Sequence, residues 1–310
     1  MTSVRPPRLA IPRFGSSAEL AARLGVADEE SLLASIADAR RSHLGVCLLG
    51  VYVIDDTDVW SVGEIYWFSI PLRVDRSGLA RWSPLVGLVT GEPPHACSSR
   101  AWMSNISLAD PPLLALVPPD DQIAKVVIRF GLYDDDRTAA DLPRALVAGL
   151  EQLAIIDGAP APDAIIAPVR QAILDSLIAR EDDVLLDQDF TLNRGESTRF
   201  GAGFVSSMSS ARARVFIVVR DERRTEQVGP KHLVKGQTEL LQFSEPVEPG
   251  GRLSFFAVGA DVSIASFGTL DADMPFLNRT LDPEAAAAQR SGFYVQSNGP
   301  ADLVAFYTPP

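Results

Sequence analysis

Apolar and polar positions along the chain change their period in a readable order. The stretch "LGVCLLGVYVI", 44–54, is apolar almost throughout, the pattern of a strand covered on both faces. "EIYWFSIPLRV", 64–74, and "IAKVVIRFGLY", 123–133, are rich in aromatic and β-branched residues and predict two more strands. Between them Pro84, Pro93, Pro94, Pro111, Pro112, Pro118 and Pro119 cut a long loop-like stretch into short pieces. From 142 to 179 the period becomes helical, in "LPRALVAGLEQLAII" and "APDAIIAPVRQAILDSLIAR", with "DGAPAP" as the turn and Pro168 marking a start or a kink. Residues 184–310 return to short strands divided by Gly and Pro turns, the rhythm of a β-sandwich. Within them "RLSFFAVGADVSIASFGTL" turns Val262, Ile264 and Phe267 toward a core. "DPEAAAAQR", 282–290, is one short helix with Asp282 as N-cap and Pro283 at its first position.

Upstream, the segment 17–41 carries a stripe of Leu20, Leu24, Leu32, Leu33 and Ile36, with Ser17 and Asp28 as N-caps and Gly25 between them. It predicts a helical hairpin behind a Pro/Arg-rich arm. The expected fold is mainly β with helical additions: two β-sandwich-like regions joined by a helical segment, plus the N-terminal helical hairpin. The expected boundaries are 1–43 for arm and hairpin, 44–141 for the first β region, 142–181 for a helical connector and 182–310 for the C-terminal sandwich.

Composition removes several functional classes. The chain has 310 residues and a formal charge of −12, and Lys125, Lys231 and Lys235 are its only lysines. Positive charge is otherwise arginine, a bias common in GC-rich bacterial genomes. An acidic chain is repelled by nucleic acid, so no nucleic-acid partner is expected. The basic stretch "ARARVFIVVRDERR", 211–224, reads as a strand with polar ends. The first residues lack an apolar run of signal-peptide length, which predicts a cytoplasmic protein or one exported without a classical signal. The two cysteines, Cys47 and Cys97, have no metal or redox spacing; without an export signal free thiols are favoured, and a Cys47–Cys97 disulfide is the alternative.

Candidate chemistry concentrates in two acidic loops. "VYVIDDTDVWSVGE", 51–64, places Asp55, Asp56, Asp58 and Glu64 between strands, and "YDDDRTAAD", 133–141, places Asp134, Asp135, Asp136 and Asp141 after one. If both loops reach the same end of a sandwich, their carboxylates converge. Calcium takes such an irregular ring of hard oxygens at roughly 2.3–2.6 Å. The second loop resembles the third calcium loop of the calcium-dependent phospholipid-binding β-sandwich of protein kinase C and synaptotagmin. Asp134 and Asp136 match its spaced pair, and Asp141 stands one residue early for its last ligand. "GEIYWFSI", 63–70, is similar to that family's strand after the first calcium loop, with Glu64 where an aspartate is usual and Asp58 or Asp56 upstream. The resemblance covers residues 44–141 at most; the insert between its motifs is proline-rich, and helix follows Asp141. It implies a Ca2+ site of Asp56, Asp58, Glu64, Asp134, Asp136 and Asp141, with Val59, Trp60 and Val62 as a tip for membrane or partner contact.

Other signals are weaker. "HACSSRAW" sets His95 near Cys97 and Ser98, but a dyad needs facing groups and an orienting third, so a polar loop is expected. There is no G-x-S-x-G elbow, and no framework selects a glycosidase carboxylate pair. Trp82, Trp102, Phe276 and Tyr294 are candidates for an exposed aromatic face. The function expected is therefore a non-enzymatic binding module, calcium-dependent through its acidic loops. A metal-free assembly protein and a polysaccharide-acting hydrolase are the alternatives. The partner expected is another protein or a second copy, or a membrane surface when calcium is bound.

Overall fold

The computed structural model describes residues 43–56, 62–82, 89–117, 122–135, 142–155, 159–177, 183–194, 202–288 and 292–310, together with Ser31, Ala34 and Asp38. The expected hairpin lies outside the described residues except for those three, each of them helical. The first half of the chain forms β1 (Leu44–Val53), β2 (Gly63–Asp75), β3 (Ala80–Arg81), β4 (Thr90–Cys97), β5 (Ala101–Trp102), β6 (Leu113–Val117) and β7 (Ile123–Asp134). Helices α1 (Leu142–Ile155) and α2 (Asp163–Ser176) follow, then β8 (Asp183–Asn193), β9 (Val205–Ser209) and β10 (Ala213–Asp221). The remainder gives β11 (Glu226–Leu233), β12 (Thr238–Leu241), β13 (Arg252–Gly259), β14 (Val262–Ile264), β15 (Gly268–Leu270) and β16 (Phe276–Thr280). It closes with α3 (Pro283–Ala288), β17 (Phe293–Ser297) and β18 (Ala301–Thr308). The protein is mainly β, as its pattern implies.

Four antiparallel sheets stack face to face. Sheet I runs β5-β1-β10-β9 with β6 also on β1, and sheet II runs β3-β2-β7-β8 with β4 also on β2. Sheet III is β11-β18-β13-β16 and sheet IV is β12-β17-β14-β15. Sheets I and II enclose one core: Val46, Leu48, Val215 and Ile217 meet Ile65, Trp67, Ile128 and Phe130. The Trp67 and Phe130 rings stack within it, 5.4 Å apart. Because side chains alternate along a strand, the opposite face of sheet II presents Tyr66, Phe68, Ile70 and Leu72. Helices α1 and α2 cover that face through Leu146, Leu150, Ile166 and Val169. Sheets III and IV close a second core around Phe255, Leu303 and Phe293.

The two sandwiches meet through the outer faces of sheets I and III. Cys47, Leu49, Phe216 and Val218 from sheet I pack against Phe256, Val304 and Phe306 from sheet III. Phe216 and Phe256 lie 5.4 Å apart, and Trp102 meets Phe256 edge-on at 5.8 Å. Gly50 makes room for this: a Cβ there would stand 3.1 Å from the Trp102 ring and 3.2 Å from that of Phe256. Asn278 of β16 fastens the rim by donating to the Val205 carbonyl at 2.7 Å and accepting from the Val205 N–H at 3.1 Å.

Three expectations change. The region 44–141 does not close a sandwich by itself, because β1 pairs with β10 along Leu44↔Asp221 to Val53↔Ala213 and β7 pairs with β8. The helical segment is accordingly no connector between sandwiches: it is an excursion between β7 and β8, adjacent strands of one sheet. An apolar strand such as β1 needs partners for its backbone groups on both sides, and only a later part of the chain supplies the second. Pro93 and Pro94 do not break β4. It is an edge strand, and its register on β2 shifts between Ile65 and Trp67 where the prolines fall. "RLSFFAVGADVSIASFGTL" forms β13, β14 and β15, which belong to two different sheets, with Val262 and Ile264 in the second core and Phe267 packed against it, as expected. Among the described residues no helix is long and apolar enough to cross a membrane.

Candidate functional site

Strand pairing decides what the acidic loops can do. In sheet II, Ile65 pairs with Asp134 and Gly63 with Cys97, so the start of β2, the end of β7 and the end of β4 share one edge of the first sandwich. The last residues of β1 lead into Asp56 at the same end. Gly63 stands between the two acids: a Cβ there would lie 2.8 and 3.0 Å from the Asp134 carboxylate oxygens and 3.0 Å from the Asp56 Cβ. The described starts of the two acidic stretches therefore meet, and only glycine leaves room for both side chains.

Asp56 and Asp134 are nearly wholly buried, at 5% and 1% exposure. Asp56 Oδ1 accepts from the Ser99 hydroxyl at 2.6 Å and Oδ2 from the Ser99 N–H at 3.0 Å, while the Asp56 N–H donates back to Ser99 Oγ at 2.9 Å. Asp134 Oδ1 accepts from the Glu64 N–H at 2.9 Å, and the Asp135 N–H donates to the Glu64 carbonyl at 3.0 Å. Charge-assisted bonds of this kind outweigh neutral ones by about twofold, which is how a buried carboxylate is held without a cation. The clustering is felt by Cys97, whose thiol is pushed up to about 11 by burial and then by the negative charges of Asp56 and Asp134. A thiol so disposed is a poor nucleophile.

Of the expected ligands, the structure brings Asp56 and Asp134 together and adds the buried Asp135. Glu64 is exposed, and strand alternation sets it on the same face as Tyr66, away from the inner end where Asp134 follows Leu132. Asp58, Asp136, Asp141, Val59 and Trp60 lie outside the described residues. Val62 is described and half exposed. Among the described residues no three His, Cys, Asp or Glu side chains form a group that could hold a metal ion. Ser99 and Gly63 are the positions that sequence reasoning missed. Ser99 sits in the polar "HACSSRAW" stretch, and nothing in its local pattern marks it as the partner of Asp56.

The other candidates resolve structurally. Cys47 and Cys97 are both free and buried. His95 is set on β4 with Nε2 2.9 Å from Ser104 Oγ, not against Cys97, whose sulfur faces the Ser98 and Ala101 carbonyls. Beneath α2 an ion network ties helix to sheet: Arg129 grips Asp189 with bonds of 2.6 and 3.1 Å, and Arg170 reaches Asp187 at 2.6 Å and the Tyr133 hydroxyl at 3.2 Å. Burial, reinforced by Asp187 and offset by Arg170, pushes the Tyr133 phenol up to about 12.

A cavity of about 780 Å³ lies beside α3, lined by none of the acidic-end residues but by Glu222, Arg224, Glu226, Val247, Glu248 and Tyr307 among others. Its polar groups largely bind one another. Glu226 accepts from Ser244, the Glu248 N–H donates to the Tyr307 hydroxyl, and Arg224 donates to the Pro309 and Pro310 carbonyls.

No protein-family model matches this chain. No curated protein matches it either. Among solved structures it is similar to human GIVD cytosolic phospholipase A2 in complex with methyl gamma-linolenyl fluorophosphonate, at TM-score 0.26 and 10% identity, over 84% of this chain and 32% of that one. The same human enzyme with the inhibitor and terbium chloride gives TM-score 0.26 and 8% identity, over 86% and 32%. This chain thus spans about a third of the length of the protein it matches. A likeness at that score specifies neither fold nor activity.

Proposed function

We propose that this protein is a non-enzymatic binding module whose acidic end takes a calcium ion. The observation that supports the reading is the approach of Asp56 and Asp134 across Gly63, at the end of a sandwich from which Asp58, Asp136 and Asp141 continue in sequence. In this reading Asp56 and Asp134 form the inner wall of the site, and Asp58, Asp136 and Asp141, which follow them in sequence, are the further ligands called for. Val62, exposed one residue before Gly63, stands at the rim where a partner protein or an anionic membrane surface docks once the charge is neutralised.

A second reading has its own support. Asp56 spends both oxygens on Ser99 and Asp134 spends one on Glu64, so the same carboxylates serve as caps for irregular backbone in a metal-free assembly protein. Thermal melting with calcium separates the two. A calcium module at a hundredfold excess over its Kd gains ~2.7 kcal/mol, a rise of roughly 5–10 °C for a unit of this size. Chelator reverses the rise, and Asp58→Asn with Asp136→Asn abolishes it. Under the capping reading calcium leaves the melting temperature unchanged, and that result overturns the calcium proposal.

A further inference from the structure

We propose that the outer face of sheet IV is a platform for a neutral oligosaccharide, with Tyr294 as its stacking ring. Among the described residues the layers cover the other broad sheet faces: the helices lie on sheet II, sheets I and II enclose the first core, and sheets I and III cover each other. The outer face of sheet IV ends the stack, and no described residue outside the sheet forms a core cluster with that face. Alternation along β17 buries Phe293, Val295 and Ser297 and turns Tyr294 and Gln296 outward.

Register then builds two rows across this face. Thr238 pairs with Gln296, Gln296 with Ser263, and Ser263 with Thr269, so four hydrogen-bonding side chains lie side by side over four strands. In the next row Leu240 pairs with Tyr294, and both are exposed, Tyr294 at 57%. Trp82, Trp102 and Phe276 are instead partly buried against the cores, which leaves Tyr294 as the available ring of the four aromatic candidates. No Asp, Glu, Lys or Arg stands in either row, on a chain whose net charge is −12.

This chemistry fits a sugar better than an ion or a protein. Hydroxyls and amides both donate and accept, as sugar hydroxyls do, and the C–H face of a pyranose stacks on an exposed aromatic ring. Two groups are already oriented: Gln296 donates to the Gly236 carbonyl at 3.0 Å, which aims its amide oxygen, and Ser263 Oγ lies 3.3 Å from Thr269 Oγ1. Neither row offers an ionic ligand a countercharge. Four short strands spaced ~4.8 Å apart give a face of roughly 200–300 Å², well below the ~800 Å² per partner that a stable protein interface buries. A few sugar units fill it; a second copy of the chain overhangs it.

Isothermal titration of the full chain with cellohexaose, N-acetyl-chitohexaose and maltohexaose tests this. At least one is expected to bind with a millimolar or tighter Kd that is unchanged by ~0.5 M NaCl, because no charges are screened. Tyr294→Ala is expected to weaken binding roughly tenfold or more, while Tyr294→Phe retains it and Gln296→Ala weakens it several-fold. All three variants keep the wild-type melting temperature, since these side chains face solvent. Three results overturn the proposal: no binding of any probe at ~10 mM, undiminished binding by Tyr294→Ala, or light scattering in which Leu240→Lys converts a dimer into a monomer.

Discussion

The two sandwiches are built to different standards of enclosure. In the first, β1, β2 and β7 run ten to thirteen residues, and both faces of both sheets are covered, by each other, by α1 and α2, or by sheet III. In the second, the strands of sheet IV run three to five residues, and one face is open. The polar groups follow the difference. Where the first sandwich is sealed, the inner carboxylates Asp56 and Asp134 are buried and held by Ser99 and by the Glu64 N–H, and the half-buried Asp187 and Asp189 by arginines. Where the second is open, the outward positions of sheet IV are uncharged, and Gln296, Ser263 and Thr269 bond only to near neighbours. Enclosure thus decides which polar residues are structural and which remain free to meet a ligand.

The sharpest way to break this comparison is at the joint. Phe256 is fully buried between Phe216 and Trp102, so Phe256→Ala is expected to lose ~3–5 kcal/mol. It should also split a single calorimetric transition into two, as each sandwich then melts on its own. A single transition with a loss under about 1 kcal/mol would mean that the Asn278 clasp, not the aromatic plug, couples them.

A smaller effect separates the sealed acids from the open ones. Asp56→Ala removes two hydrogen bonds to a buried carboxylate and is expected to cost ~2–3 kcal/mol by chemical denaturation in calcium-free buffer. Asp302→Ala, which removes an exposed partner of His232, is expected to change stability by no more than ~0.5 kcal/mol. Equal losses would erase the distinction.

The last effect shows only at alkaline pH. Cys97 titrates near 11 in the folded protein, above the ordinary thiol value of 9.0, and Tyr133 near 12, above 10.0. Both folded values are raised. Their contribution is therefore fully present below about pH 9 and is lost as pH climbs through 9–11 for the thiol and 10–12 for the phenol. Stability should fall across that window, and Cys97→Ala should flatten its lower part, measured as the slope of unfolding free energy against pH. An unchanged slope in the variant would remove Cys97 from the account.

Much of this architecture was legible in local pattern. The unbroken apolar run of β1 implied burial on both faces, and sheet I is indeed an inner layer. Pro283–Ala288 of "DPEAAAAQR" forms α3, with the Ala285 N–H donating to Asp282 Oδ1 at 2.7 Å, the capping bond its spacing implies. The place of β4 was not legible. Pro93 and Pro94 are breakers by local rule, and only the edge position and shifted register on β2 accommodate them. Half of the candidate acidic site was legible as well. The charge of "IDDTDVWSVGE" and "GLYDDDRTAAD" was plain, but the partnership of Asp56 with Ser99 and the turning of Glu64 to the other face were not.

By itself the sequence determined the elements, the β class and the acidic character of two strand ends, because period, propensity and charge act between neighbours along the chain. Only the tertiary structure decided that β10 completes the sheet of β1, that the helices cover β2 and β7 rather than joining two sandwiches, and that Asp56 and Asp134 meet at Gly63. Those outcomes depend on pairing across long separations, where every strand edge offers the same backbone donors and acceptors and no local signal names the partner. The choice falls to whichever arrangement buries the apolar faces together.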